Sequence, residues 1–181
     1  MKQKAQIMDE TGVARAMTRI THEIIERNQG VGDLCLLGIK RRGIPLSRML
    51  HDNILRFEGV DLPIGYLDIT RHRDDLTEEE KKAASACHIP CDIRDKTVIL
   101  VDDVLYTGRT ARGAMEAVFS NARPKAIRLA VLVDRGHREL PIRPDYVGKN
   151  VPTSKNERVR VMLEETDGEC GVFIDAPDGE C

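Results

Sequence analysis

The chain has 181 residues and a formal net charge of −2, which predicts one compact domain (1–181) and excludes a protein that is basic overall. No stretch approaches membrane-spanning length and no long apolar run opens the chain, so we expect a cytoplasmic protein. Five cysteines form an odd, scattered set that is no disulfide framework and favours a reducing compartment: Cys35, Cys87, Cys91, Cys170 and Cys181.

An amphipathic helix is predicted from about Asp9 to Asn28, where apolar residues at positions 13, 17, 20 and 24 form one stripe. Gly30 is a plausible stop signal for this helix. A second face of the helix is polar and basic, and by itself it is most simply an ordinary solvated surface. This stripe consists of Arg15, Thr18, Arg19 and His22, with Arg27 nearby.

A buried strand is predicted at Asp33–Ile39, and a helix from Ile44 to about Phe57. Two glycines bracket three cations at the turn between them. Glycine permits close approach of the backbone and the cations suit a polyanionic ligand, although a basic surface turn is the plain structural alternative. A Walker A loop is excluded, because no Gly-Lys-Ser/Thr follows. The run is Gly38-Ile39-Lys40-Arg41-Arg42-Gly43.

A strand is predicted at Leu62–Thr70, followed by a long and highly charged loop at about 70–90. Loops of this length inside a compact domain are usually lids or disordered segments, so we expect a mobile lid here. The Cys87-His88 pair and Cys91 lack a second ligand pair at zinc spacing, so no protein-only metal site is expected.

The run Thr97–Val101 predicts a strand that is buried on both faces, as in a parallel sheet. The acids Asp102 and Asp103 are expected at its carboxyl end, followed by a hydroxyl-rich turn and a helix near Ala111. Ligands of open α/β sheets bind at this edge, and the N-terminus of a helix holds phosphate. Carboxylates accept hydrogen bonds from ribose hydroxyls, so the stretch suits a sugar with a 5′-phosphate.

Another strand is predicted at Ala126–Val133. Prolines and glycines in the following segment, about 135–157, favour irregular backbone. That segment continues from the carboxyl end of a strand beside the acid-bearing strand, so it is expected to cover this edge of the sheet as a hood. Arg158–Leu163 and Gly171–Ile174 are predicted as closing strands.

The thirteen positions from Val98 to Thr110 resemble the signature of the type I phosphoribosyltransferases. The resemblance implies an α/β fold with a mostly parallel central sheet flanked by helices, and a small hood over the base site. It implies 5-phosphoribosyl diphosphate (PRPP) as substrate, with Mg²⁺ held through PRPP. The basic loop resembles the family's pyrophosphate loop, which often carries a non-proline cis peptide bond, and Arg73-Asp74-Asp75 resembles its lid.

These resemblances assign two sets of residues. The implied catalytic residues are Asp102, Asp103 and Arg73, of which Arg73 is expected to reach the leaving pyrophosphate. The implied PRPP-binding residues are Lys40, Arg41, Arg42, Asp102, Asp103, Tyr106, Thr107, Gly108, Arg109 and Thr110.

Related purine enzymes carry an acid directly before the Thr-Gly of the signature, where this chain has Tyr106. A neutral phenol is a poor base near pH 7, which disfavours a purine such as hypoxanthine and favours uracil. Arg143 stands where the purine relatives carry a lysine that contacts the base. The implied base-binding residues are Val133, Asp134, Arg135, Arg143 and Val151.

Runs along nearly the whole chain, above all Val131–Arg143, resemble the PyrR family of bifunctional regulators. That family controls attenuation of pyrimidine operons and also catalyses formation of UMP from uracil and PRPP. One departure is Arg41, where relatives carry threonine, and it adds a cation to the pyrophosphate loop.

The PyrR resemblance implies binding of leader mRNA that depends on UMP or UTP, and it implies homo-oligomers, either dimers or assemblies of dimers. The alternative is a salvage uracil phosphoribosyltransferase without an RNA role, in which case the basic stripe is a solvated helix face. The implied RNA-contacting residues are Thr18, Arg19, His22, Arg27, His137, Arg138, Arg143 and Lys155.

Overall fold

The computed structural model describes residues 1–74, 77–82 and 86–177, and these residues form two sheets. The first sheet is parallel, with five strands in the order β3-β2-β4-β5-β6. The second is antiparallel, with three strands in the order β1-β8-β7. In chain order the strands are β1 (Lys2–Asp9), β2 (Leu34–Ile39), β3 (Ile64–Leu67), β4 (Thr97–Leu105), β5 (Ala126–Asp134), β6 (Tyr146–Asn150), β7 (Arg158–Met162) and β8 (Gly171–Ala176).

Helices cover both faces of the parallel sheet. Alternate residues of β4 point to opposite sides: Ile99 and Val101 join one buried cluster, and Val98 and Leu100 join the other. The first cluster holds the buried sides of α1 and α2 together with the antiparallel sheet, and the second holds α4. The helices are α1 (Glu10–Arg27), α2 (Gly43–Glu58), α3 (Glu78–Lys81), α4 (Arg109–Phe119) and α5 (Glu164–Asp167).

This architecture confirms the predicted fold class, a mostly parallel α/β sheet flanked by helices. Helix α1 follows its prediction closely: Asp9 caps it by accepting a hydrogen bond from the backbone N–H of Gly12 at 2.7 Å, and Asn28 follows its last turn. The predicted apolar stripe is its buried side. Within the described residues, no helix is long and apolar enough to cross a membrane.

Several predicted boundaries were wrong. Strand β4 runs on through Asp102 and Asp103, because its ladder with β5 continues to Leu105, so the acids lie inside the strand rather than after it. Strand β3 is confined to Ile64–Leu67, where it pairs with β2. In the segment predicted to be irregular, β6 forms a strand because it adds to the edge of β5.

The predicted lid, about 70–90, begins with a 3-10 turn at Thr70–His72, includes α3, and returns where His88 bridges Tyr66 of β3. Five of its positions (75, 76 and 83–85) lie outside the described residues, as does Cys181. The 3-10 turn packs against α4, since Nη2 of Arg112 donates to the carbonyl of His72 at 3.0 Å.

Candidate active site

The acids Asp102 and Asp103 lie side by side near the carboxyl end of β4. Asp102 is 8% exposed, and its Oδ1 accepts the backbone N–H of Asp103 at 2.9 Å. Oδ1 of Asp103 accepts the N–H of Val104 at 2.8 Å. Burial, and after it the neighbouring charge of Asp103, raises the pKa of Asp102 well above its ordinary value. The pair is therefore arranged for a ligand that brings hydroxyl donors or positive charge.

This electrostatic arrangement predicts that Asp102→Asn stabilises the unliganded protein at neutral pH. A carboxyl whose pKa is raised by folding binds protons more tightly in the native state, so stability falls as pH rises from its unfolded pKa to its folded pKa. Asparagine carries no such penalty. We expect the variant to melt higher than the parent at pH 7, by about 2–4 °C for each kcal/mol of relief.

The melting difference for Asp102→Asn should shrink as the pH is lowered toward 4, where the carboxyl of the parent is protonated in the native state and about half protonated in the unfolded chain. Scanning calorimetry of both proteins between pH 4 and 8 measures this. A variant that melts below its parent at pH 7 would contradict the arrangement of the two acids.

The basic loop is held tightly against β4. A Cβ atom on Gly43 would lie 2.2 Å from the carbonyl oxygen of Val101, and one on Gly38 would lie 2.5 Å from the carbonyl oxygen of Gly43. The glycines therefore allow the start of α2 to pack against the residue just before Asp102. The peptide bond between Lys40 and Arg41 is cis, as the family resemblance leads one to expect.

Two of the three cations of this loop are already paired with acids. Arg42 forms a bidentate ion pair with Asp167 of α5, with Nε–Oδ2 at 3.0 Å and Nη2–Oδ1 at 2.7 Å. This pair lowers the pKa of Asp167. Nζ of Lys40 lies 3.4 Å from Oδ2 of Asp68, while Arg41 is exposed. A pyrophosphate group would therefore compete with Asp167 and Asp68 for these cations.

The turn at 106–110 ends in the N-terminus of α4, whose first backbone N–H groups have no acceptor within the helix. Gly108 adopts a φ of 95°, which glycine tolerates. The backbone N–H groups of Glu139 and Leu140 donate to the carbonyl of Thr107 at 3.0 and 3.1 Å and brace the turn from outside. Of the two threonine hydroxyls predicted to help bind PRPP, that of Thr107 accepts the backbone N–H of Arg109 at 3.3 Å, and Thr110 lies exposed in the first turn of α4.

Arg109 of this turn is engaged by two carboxylates from different segments. Its Nε lies 2.8 Å from Oε2 of Glu139, and its Nη1 contacts Asp74 of the lid. Arg73, which was predicted to reach the pyrophosphate, lies exposed beside Asp74, directly after the 3-10 turn. Asp75, the third residue of the lid resemblance, lies outside the described residues.

The residues predicted to meet the base lie where β5 ends. Val133 is buried, and Asp134 and Val151 are joined by a backbone hydrogen bond of 2.8 Å. The guanidinium of Arg135 lies 4.0 Å from the centre of the Tyr106 ring and bonds to the segment at 153–157, so its contacts brace the hood. Arg143 is exposed, and no described residue forms a hydrogen bond or ion pair with its side chain.

Four of the eight predicted RNA-contacting residues lie on α1. Thr18, Arg19 and His22 line one surface depression, and the His22 ring stacks on Phe57 at 4.6 Å. Nη2 of Arg19 also donates to the carbonyls of Val147 and Gly148. Nη1 of Arg27 donates to the carbonyl of Asp145 at 2.8 Å.

The other four lie in the predicted hood. Nε2 of His137 is 2.6 Å from the carbonyl oxygen of Thr153. Arg138 donates to Asp134 and to the carbonyls of Tyr106 and Ile142, whereas Lys155 is exposed. His137 and Arg138 therefore serve the packing of the hood in this structure.

Sequence reasoning missed the acids that pair with the cations predicted to bind PRPP. Asp167 lies 125 positions from Arg42 in the chain, and Glu139 lies 30 from Arg109. No local spacing connects such partners. Asp68 is the one with a signal that could have been used, because it lies near the carboxyl end of the predicted strand Leu62–Thr70, at the edge of the sheet where the basic loop follows its own strand.

Comparison with known proteins identifies the family of this chain. The phosphoribosyl transferase domain model matches residues 3–165. A bifunctional protein PyrR from a Thermoanaerobacter species is 60% identical over 168 residues, which is 92% of this chain and 94% of the relative. The one from Acetivibrio thermocellus is 55% identical over 181 residues, covering 99% and 98%.

Solved structures show the same fold at low identity. A hypoxanthine phosphoribosyltransferase from Trypanosoma cruzi, in a complex with its substrates, superposes with a TM-score of 0.76 at 19% identity and covers 97% of each chain. The enzyme from Staphylococcus aureus gives a TM-score of 0.68 at 18% identity, with coverage of 98% of this chain and 94% of that one. Together, the matched domain and the high identity over nearly the full length show that the chain belongs to the phosphoribosyltransferase family and, within it, to the bifunctional PyrR proteins.

Proposed function

We propose that this chain, as one phosphoribosyltransferase domain, converts uracil and PRPP to UMP and diphosphate, and that it regulates a pyrimidine operon by binding leader mRNA when uridine nucleotides are bound. The observation that carries the proposal is its 55–60% identity to bifunctional PyrR proteins over at least 92% of the chain. Because attenuation acts on mRNA during its synthesis, the proposed site of action is the cytoplasm. The proposed partners are PRPP, uracil, UMP or UTP, the leader RNA and further copies of the chain.

The proposed chemistry is a substitution at C1 of the ribose, in which the C1–O bond to diphosphate breaks, a C1–N1 bond to uracil forms, and the proton of uracil N1 is released to water. Asp102 and Asp103 accept hydrogen bonds from the ribose hydroxyls and stabilise the positive charge that develops at C1. Residues 106–110 hold the 5′-phosphate. The negative charge of the diphosphate that leaves is stabilised by four cations: Lys40, Arg41, Arg42 and Arg73. No nucleophilic side chain takes part, so positioning and charge supply the rate enhancement.

Mg²⁺ is the proposed cofactor, and it is carried by PRPP rather than by a protein cage. Within the described ranges, no cluster of three or more His, Cys, Asp or Glu residues has the geometry of a metal site. The oxygen-rich pair at Asp102 and Asp103 is a donor set that suits a hard cation bound to substrate oxygens. When bound, Mg²⁺ neutralises charge on the diphosphate that leaves.

Uracil is favoured over a purine by the residue before the Thr-Gly of the signature. Tyr106 is 37% exposed, and its ring centre lies 4.0 Å from the guanidinium of Arg135 and 6.0 Å from the centre of the His137 ring. A phenol, and no carboxylate, therefore occupies the position from which a purine ring would lose its proton. This preference is tested by letting uracil and hypoxanthine compete for PRPP and measuring how much UMP and how much IMP is formed. Formation of IMP at a rate equal to that of UMP would reject it.

RNA binding is tested by titrating the protein against its own operon leader hairpin, with and without UMP, at several salt concentrations. Arg19→Ala is expected to lower the affinity at least tenfold, because it removes both a surface cation and the bonds that join α1 to β6. Arg123→Gln is a matched control, since this exposed arginine follows α4 on the other face of the sheet. Equal binding of the leader and a scrambled RNA would leave a salvage enzyme without a regulatory role.

A further inference from the structure

An open groove lies beside the N-terminal half of α1, between β1 and β6. Its volume is about 670 Å³, within the range of sites that take small molecules. All three elements contribute polar residues to its walls. These are Gln6 and Asp9 of β1, Arg15 and Arg19 of α1, and Lys149 of β6. None of the assignments made so far uses Gln6, Arg15 or Lys149.

The groove adjoins the depression that holds Thr18 and His22. That second depression has a volume of about 470 Å³, and the two share Arg15 and Arg19 in their walls. A ligand bound on the outer face of α1 could therefore extend into the groove across Arg15 and Arg19.

The charges in the groove are poorly neutralised. Arg15 is exposed, and within the described part of the chain its side chain has no hydrogen bond or ion pair. Nζ of Lys149 donates to the carbonyl of Ile7 at 3.3 Å, a partner that carries no charge. Arg19, in contrast, is paired with Glu23 at 2.5 Å. The cations available to an anionic ligand are therefore Arg15 and Lys149.

Asp9 is the single carboxylate among the described lining residues, and its Oδ1 is occupied by capping α1. The second carboxylate oxygen of Asp9 is a hydrogen-bond acceptor. The side-chain amide of Gln6 can both donate and accept. Such groups read the edge of an unpaired base, whereas arginine and lysine hold the phosphates on either side of it.

We infer that the groove between β1, α1 and β6 holds an unpaired nucleotide of the leader RNA, with Arg15 and Lys149 on its flanking phosphates and Gln6 and Asp9 on its base edge. The inference rests on the proposed RNA-binding function and extends the footprint beyond the outer face of α1. An RNA loop fits because it offers splayed bases and closely spaced phosphates to a narrow cationic groove.

The test compares Arg15→Gln and Lys149→Gln with the control Arg123→Gln in titrations of the leader hairpin with UMP present. Each groove variant is expected to bind severalfold more weakly at 0.15 M salt. Each should also lower the slope of log K against log salt by about 0.7, the value for one lost phosphate contact on a single strand. UMP formation by each variant reports whether it is folded.

A second readout identifies the occupant directly. A leader hairpin that carries 4-thiouridine in its loop should crosslink, on irradiation, to the peptide that contains Gln6–Asp9. Crosslinks confined to residues 18–22 of α1 would overturn the inference, as would affinities and salt slopes equal to those of the control.

Two outcomes separate this inference from the proposed function. If the parent protein binds the leader and a scrambled RNA equally, the regulatory function itself fails. If the parent binds specifically and the groove variants change only the molecular mass in sedimentation, the groove is a contact between copies of the chain, and only the inference fails.

Discussion

Replacing Asp102 and Asp103 together with asparagine is expected to lower the rate of UMP formation by about 100- to 1000-fold, the range seen when one group that stabilises transition-state charge is lost. Both carboxylates lie at the edge of the sheet where the substrate is proposed to bind, and Asp102 is 8% exposed. In this dry position the charge of Asp102 acts on C1 with little screening by water, and the half-buried Asp103 adds a second charge beside it. Asparagine keeps the shape and loses the charge.

Initial rates with saturating uracil, PRPP and Mg²⁺ measure this effect. Asp33→Asn is the matched control, because Asp33 is an exposed acid just before β2, at the opposite edge of the same sheet. We expect the control to keep the parent rate. Turnover by the double variant at the rate of the parent would remove Asp102 and Asp103 from the mechanism.

Gly43→Ala is expected to have the largest effect on the fold near the site. The added methyl group would lie 2.2 Å from the carbonyl oxygen of Val101, a backbone atom that the β2–β4 ladder holds in place. Overpacking of this kind costs about 3 kcal/mol at the upper part of its usual range. For a chain of 181 residues that is a fall in Tm of about 6–12 °C.

The same substitution should also reduce UMP formation, because relief of the clash moves the basic loop away from Asp102. Gly32→Ala tests whether loss of a glycine alone matters, since no atom lies within 4 Å of its added Cβ. Thermal melting and initial rates of the two variants decide the matter. If Gly43→Ala has the same Tm and the same rate of UMP formation as Gly32→Ala, the basic loop does not pack against the carbonyl of Val101 as described.

The elements with strong local patterns were predicted well. The apolar spacing along α1 and the continuous apolar runs of β2 and β4 reflect burial that is decided within each segment. The thirteen-residue stretch around Asp102 could be interpreted because strand, acids, turn and helix are consecutive in the chain. For these parts of the molecule, fold and candidate site follow from neighbouring residues.

The remaining features depend on residues far apart in the chain. Strand β1 has a single buried residue, Met8, and is held by pairing with β8, so its own sequence offers little periodicity. The Arg42–Asp167 and Arg109–Glu139 ion pairs need the folded chain to bring their partners together. The spacing of residues in the sequence predicts that Arg42 and Arg109 bind a ligand. It does not reveal that Asp167 and Glu139 pair with these arginines when no ligand is bound.

The antiparallel sheet has a consequence for how the protein is made. Its middle strand is β8, which pairs on one side with β1 and on the other with β7. A ribosome therefore completes every strand of the parallel sheet before β1 or β7 has a partner. Closing such a sequence-distant pairing is slow compared with local folding. The β1 wall of the groove beside α1 therefore gains its strand partner only after β8 has been made, later than the strand that carries Asp102 and Asp103, so the proposed RNA groove is completed after that strand.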